Sequence, residues 1–224
     1  MCGRFTLTVD PADLQDAFGL SEPPPAGLLP RYNIAPSQAV AVVANTGGGK
    51  LELFRWGLIP GWAKDEKIGY KLINARAETL REKPSFRAAL KRRRCLVLAD
   101  GFYEWKRAGQ SKVPMYLTLK DGRPFAFAGL WETWKSPEGK LIRSCTIITT
   151  APNALVEKIH DRMPAILPPP ARAAWLAPDE LPAEQVLPLL KPLAAAQMKA
   201  IAVSSLVNNP RFDSPECVVP ALGK

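Results

Sequence analysis

Short runs in which apolar, β-branched and aromatic residues alternate with polar ones recur along this chain. They constrain its fold more than any other feature. They are "RFTLTV" (4–9), "QAVAVVA" (38–44), "LELFRWGL" (51–58), "CLVLADGFYEW" (95–105), "PMYLTLK" (114–120), "PFAFAGLWETW" (124–134) and "LIRSCTIITT" (141–150). A period of two puts alternate side chains on one face, so each run reads as a strand with one side to bury. "KDGRP" (120–124) and "SPEGK" (136–140) carry turn chemistry at short spacing, which predicts antiparallel neighbours. "TGGG" (46–49) is too short for a phosphate-cradling loop and, although Lys50 follows it, lacks the Ser/Thr and the helix of one, so it reads as a hairpin turn.

Helical stretches are short and peripheral. "DPADLQDAF" opens with Asp10 as N-cap and Pro11 at the first helical position; "PSFRAALKRR" follows Pro84 and "APNALVEKI" follows Thr150. The Pro- and Ala-rich segment 164–192 keeps apolar residues to bury, so it reads as helices punctuated by prolines that wrap the sheet rather than as a linker. The expectation is a sheet-dominated α+β fold, one domain over residues 1–224.

Composition narrows the function classes. With 224 residues, 47% of them hydrophobic, the chain can bury one sizeable core. It has neither an apolar run near the ~18 residues of a membrane helix nor a signal-peptide pattern, so a soluble, cytoplasmic protein without membrane association is expected. Four cysteines at 2, 95, 145 and 217 form no CxxC pair, and there is one histidine, so no metal site and no cofactor are expected. A formal charge of +9 points to an anionic partner.

The residues that could carry chemistry are few. Removal of Met1 would leave Cys2 with an α-amine of pKa about 7.7–8.0 beside a thiol near 8.5. Such an amine condenses with an aldehyde to an imine, and the thiol two carbons away closes on it to give a five-membered thiazolidine, a step that proximity makes effectively unimolecular. In "LINARAET" (72–79), Asn74, Arg76 and Glu78 share one face of an extended segment, which is either a functional polar face, with Asn74 as a hydrogen-bonding group and Arg76 as a phosphate fork, or a solvated strand face or turn. Glu104, between Tyr103 and Trp105, is either an outward-facing carboxylate or a desolvated general acid-base with a raised pKa. His160 in "IHDRMP" suits proton transfer near neutral pH or a structural role, and Arg162 is a phosphate ligand or a partner of Asp161. In "RWGLIPGWAKD" (55–65), Trp56 suits a core and Trp62, among basic residues, suits base stacking. "KRRRC" (91–95) reads as a solvated basic helix end.

Taken together, "MCGRF", "RYNIAPSQ" (31–38), "RWGLIPGWAKD", "INARAET", "DGFYEWK" and "HDRMP" resemble the SRAP family of abasic-site processing proteins, once described as SOS-response-associated peptidases, over residues 2 to about 209. The resemblance implies a bifurcated antiparallel sheet forming a pseudo-barrel with short peripheral helices, and a cleft for single-stranded DNA. It implies an exposed Cys2 that forms a thiazolidine crosslink with the ring-opened abasic-site aldehyde and so shields the lesion in the DNA-damage response. By the same resemblance Asn74 orients the Cys2 amine and Glu104 and His160 move protons. Arg76, Arg4 and Arg162 hold phosphates, and Pro36, Trp62 and Trp105 shape the DNA path; Asn208 is a weaker candidate. Near a cationic groove the Cys2 amine and thiol pKa values are expected to fall. A monomer is expected, with replication or repair proteins as further partners and the nucleoid as its place when bound to DNA.

Two other readings share these residues. In an N-terminal-nucleophile hydrolase, including one limited to self-removal of Met1, the Cys2 thiol would attack an amide with its own amine as base. A basic module that only binds single strands would leave Cys2 and Glu104 without a task.

Overall fold

The computed structural model describes residues 2–221. Its strands are β1 (Arg4–Leu7), β2 (Arg31–Ile34), β3 (Ala39–Ala44), β4 (Leu51–Trp56), β5 (Asn74–Arg76), β6 (Arg94–Ala99), β7 (Gly101–Ala108), β8 (Ser111–Leu119), β9 (Phe125–Lys135), β10 (Leu141–Thr150), β11 (Met163–Pro164), β12 (Ile166–Leu167) and β13 (Met198–Ala202). Around them lie the helices α1 (Pro11–Phe18), α2 (Arg87–Arg92), α3 (Pro169–Trp175) and α4 (Ala183–Val186).

Two sheets share the work. β10, β4, β3, β6 and β9 pair in that order, and β9 pairs back to β10, closing a five-stranded barrel with β5, β11 and β12 at its margins. The second sheet is open, in the order β13-β8-β7-β1-β2, and wholly antiparallel. The expected antiparallel barrel needs one correction. β10 runs parallel to both β4 (Ser144↔Arg55) and β5 (Ile147↔Asn74), so the barrel is mixed. Long connections supply the crossover that parallel pairing requires.

The bifurcation sits at Asp100. The run 95–105, read from sequence as one strand, is two: β6 belongs to the barrel and β7 to the open sheet. Asp100 turns the chain there, its carboxylate accepting from the Thr6 hydroxyl, from Thr8 N–H (2.5 Å) and Oγ1 (2.6 Å), and from Val9 N–H (3.1 Å). Gly101 follows because the Tyr116 ring fills the space of a side chain: a Cβ would lie 2.3 Å from its hydroxyl oxygen. "KDGRP" likewise connects β8 in the open sheet to β9 in the barrel, so it is a crossing between sheets and not the expected hairpin. "SPEGK" does close the antiparallel β9–β10 pair, and "TGGG" the β3–β4 pair.

Aromatic packing holds the sheets together. Phe5 of β1 meets Trp56 edge-on at 5.1 Å and Phe127 at 5.7 Å, all three buried. Truncating Phe5 to alanine should cost about 3–5 kcal/mol. α1 has the expected start, Asp10 accepting from Ala12 N–H at 2.8 Å, and ends at Gly19 with φ +58°. "APNALVEKI" is a correction: only Val156–Lys158 winds, as a 3-10 turn, which Asn153 Oδ1 starts by accepting from Leu155 and Val156 N–H. The run 91–94 divides as well. Arg94 is fully buried and donates to five carbonyls, of Leu90, Lys91, Trp175, Ala177 and Asp179, pinning the segment after α3 to the barrel.

Candidate active site

The seam between the two sheets gathers the polar residues singled out from sequence. Arg4 pairs with Tyr103, so the antiparallel register carries Cys2 past the end of β1 toward Glu104 and Trp105 on β7. From the barrel side, β5 lies alongside β10 and delivers Asn74, whose Nδ2 donates to the Cys2 carbonyl at 2.8 Å. Among the described residues, Asn74 Oδ1 is buried without a hydrogen-bond partner. The loop after the 3-10 turn brings His160 to the same place, its backbone N–H bonded to Val156 O at 2.8 Å. Glu104, Trp105, Lys112, Lys158, His160 and Asp161 line a cleft of about 550 Å³.

Burial sets the protonation states. Glu104 is 2% exposed, and desolvation, with a further push from the Asp161 carboxylate, raises its carboxyl to about 7. His160 moves the other way, held below its ordinary value chiefly by burial. Carboxyl and imidazole thus exchange their usual order: the Glu104 carboxyl holds its proton more tightly than the His160 ring, which leaves Glu104 the group poised to give and take a proton near neutral pH. His160 Nδ1 accepts from Arg162 N–H at 3.0 Å and lies 2.9 Å from Asp161 Oδ1. The first contact fits the neutral ring with its proton on Nε2, and the second fits the imidazolium.

Cys2 corrects two expectations. It is fully buried rather than exposed, its Sγ 3.6 Å from Arg4 O. Burial and then the Glu104 carboxylate push its thiol well above the ordinary value, opposite to the fall expected from cationic neighbours. The cation next to it in sequence is turned away: the Arg4 guanidinium donates to Asn33 Oδ1 (2.8 Å) and to the carbonyls of Val207 (2.7 Å) and Asn208 (3.4 Å).

The remaining candidates fall into three places. Arg76 is exposed at the end of β5. Arg162 forks onto Glu78 at 2.7 and 2.8 Å and donates to Thr149 O at 2.7 Å; these bonds hold the Glu78 carboxyl below its usual value, and Arg76 adds to the effect. Asn74, Arg76 and Glu78 therefore do not form one strand face: the strand ends at Arg76, and Glu78 is on a 3-10 turn. Trp105 is half-buried, its Nε1 donating to Asn208 Oδ1 at 2.7 Å. Trp62, 60% exposed, and Pro36, in the turn where Ser37 takes φ +71°, lie outside the cleft lining.

Sequence reasoning missed Lys112 and Lys158 as cleft residues and Asn33 and Asp213 as supports. Asn33 Nδ2 donates to the carbonyls of Val207, Asn209 and Phe212, and Asp213 accepts from Tyr32 and Asn33 N–H. Together they clamp the C-terminal segment that carries Asn208. The Asn within the short strand "RYNI", two places from Arg31 and beside Ile34, was the available signal.

A family profile described as "SOS response associated peptidase (SRAP)" matches residues 1–210. The chain belongs to the SRAP family. This SRAP chain is 52% identical over 221 residues to the abasic site processing protein YoqW of Bacillus subtilis, covering 97% of this chain and 99% of that one. It is 32% identical to the abasic site processing protein HMCES of Xenopus tropicalis, covering 97% of this chain and 78% of that protein. A crystal structure of a protein from Bacteroides thetaiotaomicron superposes with a TM-score of 0.90 at 30% identity, covering 99% of this chain and all of that one. The pseudo-barrel inferred from the motifs is therefore a fold shared with an experimentally solved chain. Among the described residues no helix is long and apolar enough to cross a membrane, and no group of metal-ligating side chains converges.

Proposed function

We propose that this SRAP chain captures abasic sites in single-stranded DNA as a covalent thiazolidine, through the α-amine and Sγ of Cys2 after removal of Met1. The observation that carries the reading is the grouping at the seam: Asn74 holds the Cys2 carbonyl, and the buried Glu104 is near enough for its charge to raise the Cys2 thiol. Relatives at 52% and 32% identity bear the name abasic site processing protein, which supports the same substrate.

The chemistry fits the protonation states. The Cys2 amine adds to the aldehyde carbon of the opened sugar; the resulting hydroxyl leaves as water, taking a proton from a nearby acid. Sγ then adds to the imine carbon and the thiol proton passes to the imine nitrogen, so one water is released per adduct. With its carboxyl near 7, Glu104 is part acid and part base at neutral pH and can serve both steps. A thiol that burial keeps protonated needs such an acceptor at the moment it attacks. His160 would protonate the sugar oxygen during ring opening as the imidazolium, the form that the Asp161 carboxylate favours, and return to the neutral ring that burial favours. An acyl-transfer role for Cys2 has less support, because the amide donor nearest to it, Asn74 Nδ2, is already committed to the Cys2 carbonyl.

Intact-mass analysis after mixing the protein with an abasic single-stranded oligonucleotide tests the proposal. The expected product has the mass of the chain without Met1 plus the oligonucleotide minus one water, and survives heating. Retention of Met1 in active protein, or an adduct that persists in Cys2→Ala, would sink the mechanism.

A further inference from the structure

A second basic site lies away from the cleft. Arg81, Arg87, Lys91, Arg92 and Arg93 line a depression of about 430 Å³ that includes one carboxylate, Glu180. Glu180 is engaged by Arg92 at 2.8 Å, and Arg93 by Glu132 at 2.7 Å. Among the described residues Arg81, Arg87 and Lys91 form no ion pair, and all three are exposed. Arg87 and Lys91 stand four residues apart on α2, hence on one face, where like charges disfavour the helix. Three unpaired cations converging on one concavity are complementary to an anion with several charges.

Chain direction connects this depression to the lesion cleft. From Arg76 to Arg93 the sequence carries seven basic and two acidic residues, a net +5 of the whole chain's +9. Arg76 ends β5 beside the seam, a 3-10 turn follows, and Arg81 opens the depression. The two arginines are five residues apart, a span of at most roughly 17 Å of chain, so one strand can pass both.

We infer that the depression between α2 and Glu180 is an accessory site for the phosphodiester backbone of the DNA strand as it leaves the lesion cleft. The inference rests on the DNA-binding reading above and adds a location to it. The site reads no sequence: it offers cations and no stacking aromatic, so its contribution is Coulombic and comes with counterion release.

The experiment compares the full-length protein with a triple variant, Arg81→Gln, Arg87→Gln and Lys91→Gln, for binding unmodified oligothymidylates of about 6 and about 20 nucleotides at several salt concentrations. The wild type should gain affinity with length. The variant should lose roughly tenfold of that gain at low salt, and its salt slope on the longer strand should be shallower by about 2, the value for three phosphates released from single strands. Binding of the short strand and adduct formation on a short abasic oligonucleotide should be unchanged, which also shows that the variant is folded. Should the triple variant fail to fold, Lys91→Gln alone carries the comparison, with a slope change of about 0.7. Equal affinity and slope for variant and wild type on the longer strand would overturn the inference, and is the result an acidic protein partner at this site would give. Absence of any adduct with wild-type protein would count against the lesion chemistry instead, because the length dependence is read on undamaged strands.

Discussion

Cys145, on β10 in the barrel wall, and Cys2, at the seam of the two sheets, are both fully buried, and burial pushes both thiols up. Their surroundings differ. Cys145 shares an apolar interior with Cys95, packed so closely that a Cβ on Gly129 would fall 2.9 Å from Cys95 Sγ. Cys2 has the same lack of solvent but lies beside a carboxyl poised at about 7, with an Asn whose Oδ1 has no partner among the described residues. Burial by itself makes an inert thiol; burial next to groups that can take and return a proton makes a reactive one. The barrel is where this fold stores stability, and the seam is where it keeps polar groups out of water at a cost.

Breaking that comparison starts with the thiols themselves. Cys2→Ala should abolish the heat-stable DNA adduct, whereas Cys145→Ala should keep the adduct rate and lose about 1 kcal/mol of stability. Denaturing gels of the adduct and urea unfolding separate the two. An adduct lost equally in both variants would show that the barrel interior, too, serves the chemistry.

Next in size is the proton carrier. Glu104→Gln keeps the shape and cannot exchange a proton, so single-turnover crosslinking should slow by about 10²–10³, and release by a similar factor, since a group that assists closure assists opening. Wild-type rates in both directions would remove Glu104 from the mechanism.

The same substitution should stabilise the fold at alkaline pH. The folded carboxyl titrates at about 7 and an unfolded one near 4.3, so between those values the folded state holds a proton that the unfolded state has lost. Stability contributed by the neutral group is complete below about pH 4 and is lost as pH rises through 7. Relative to wild type, Glu104→Gln should therefore gain roughly 3 kcal/mol between pH 4 and pH 8. Chemical denaturation at the two pH values measures it; a difference that does not change with pH would mean that Glu104 is not held neutral by burial.

Much of this was legible in the sequence where one local signal sufficed. Alternation found β3, β4, β9 and β10, and Asp10-Pro11 found the start of α1. Asp100 was not legible: the apolar pattern runs through it unbroken, and what splits β6 from β7 is a carboxylate meeting Thr6, Thr8 and Val9 from ninety residues away. β13 escaped because five residues of "MKAIA" carry a strand only when β8 is there to pair. The site residues were recognised as motifs, but their couplings were not. Arg4 bracing the Asn208 segment, Asn208 fixing Trp105 and Glu78 holding Arg162 are contacts between distant segments, which periodicity does not encode. The inverted thiol of Cys2 has the same origin, since a motif specifies neighbours in sequence and the shift comes from neighbours in space.

The smallest expected effect sharpens the comparison most, because it leaves every proposed catalytic group in place. Burial is the dominant influence on both His160 and Glu104, and it moves them in opposite directions. The Asp161 carboxylate acts on both in the same direction: it favours the imidazolium of His160 and disfavours the carboxylate of Glu104, so it raises both. Asp161→Asn removes that charge. Both groups should then titrate at lower pH, and both limbs of the pH profile of crosslinking should move toward acid. The side chain of Asp161 is 83% exposed, so water and salt screen it, and the displacement should be small and should shrink further as ionic strength rises. In the barrel no charge change of this kind would register, since burial alone shifts the Cys145 thiol. If the two limbs of the profile moved in opposite directions, or if only one moved, then His160 and Glu104 would not share Asp161 as a common neighbour during the reaction, and the acid and base limbs would have to be assigned to other groups.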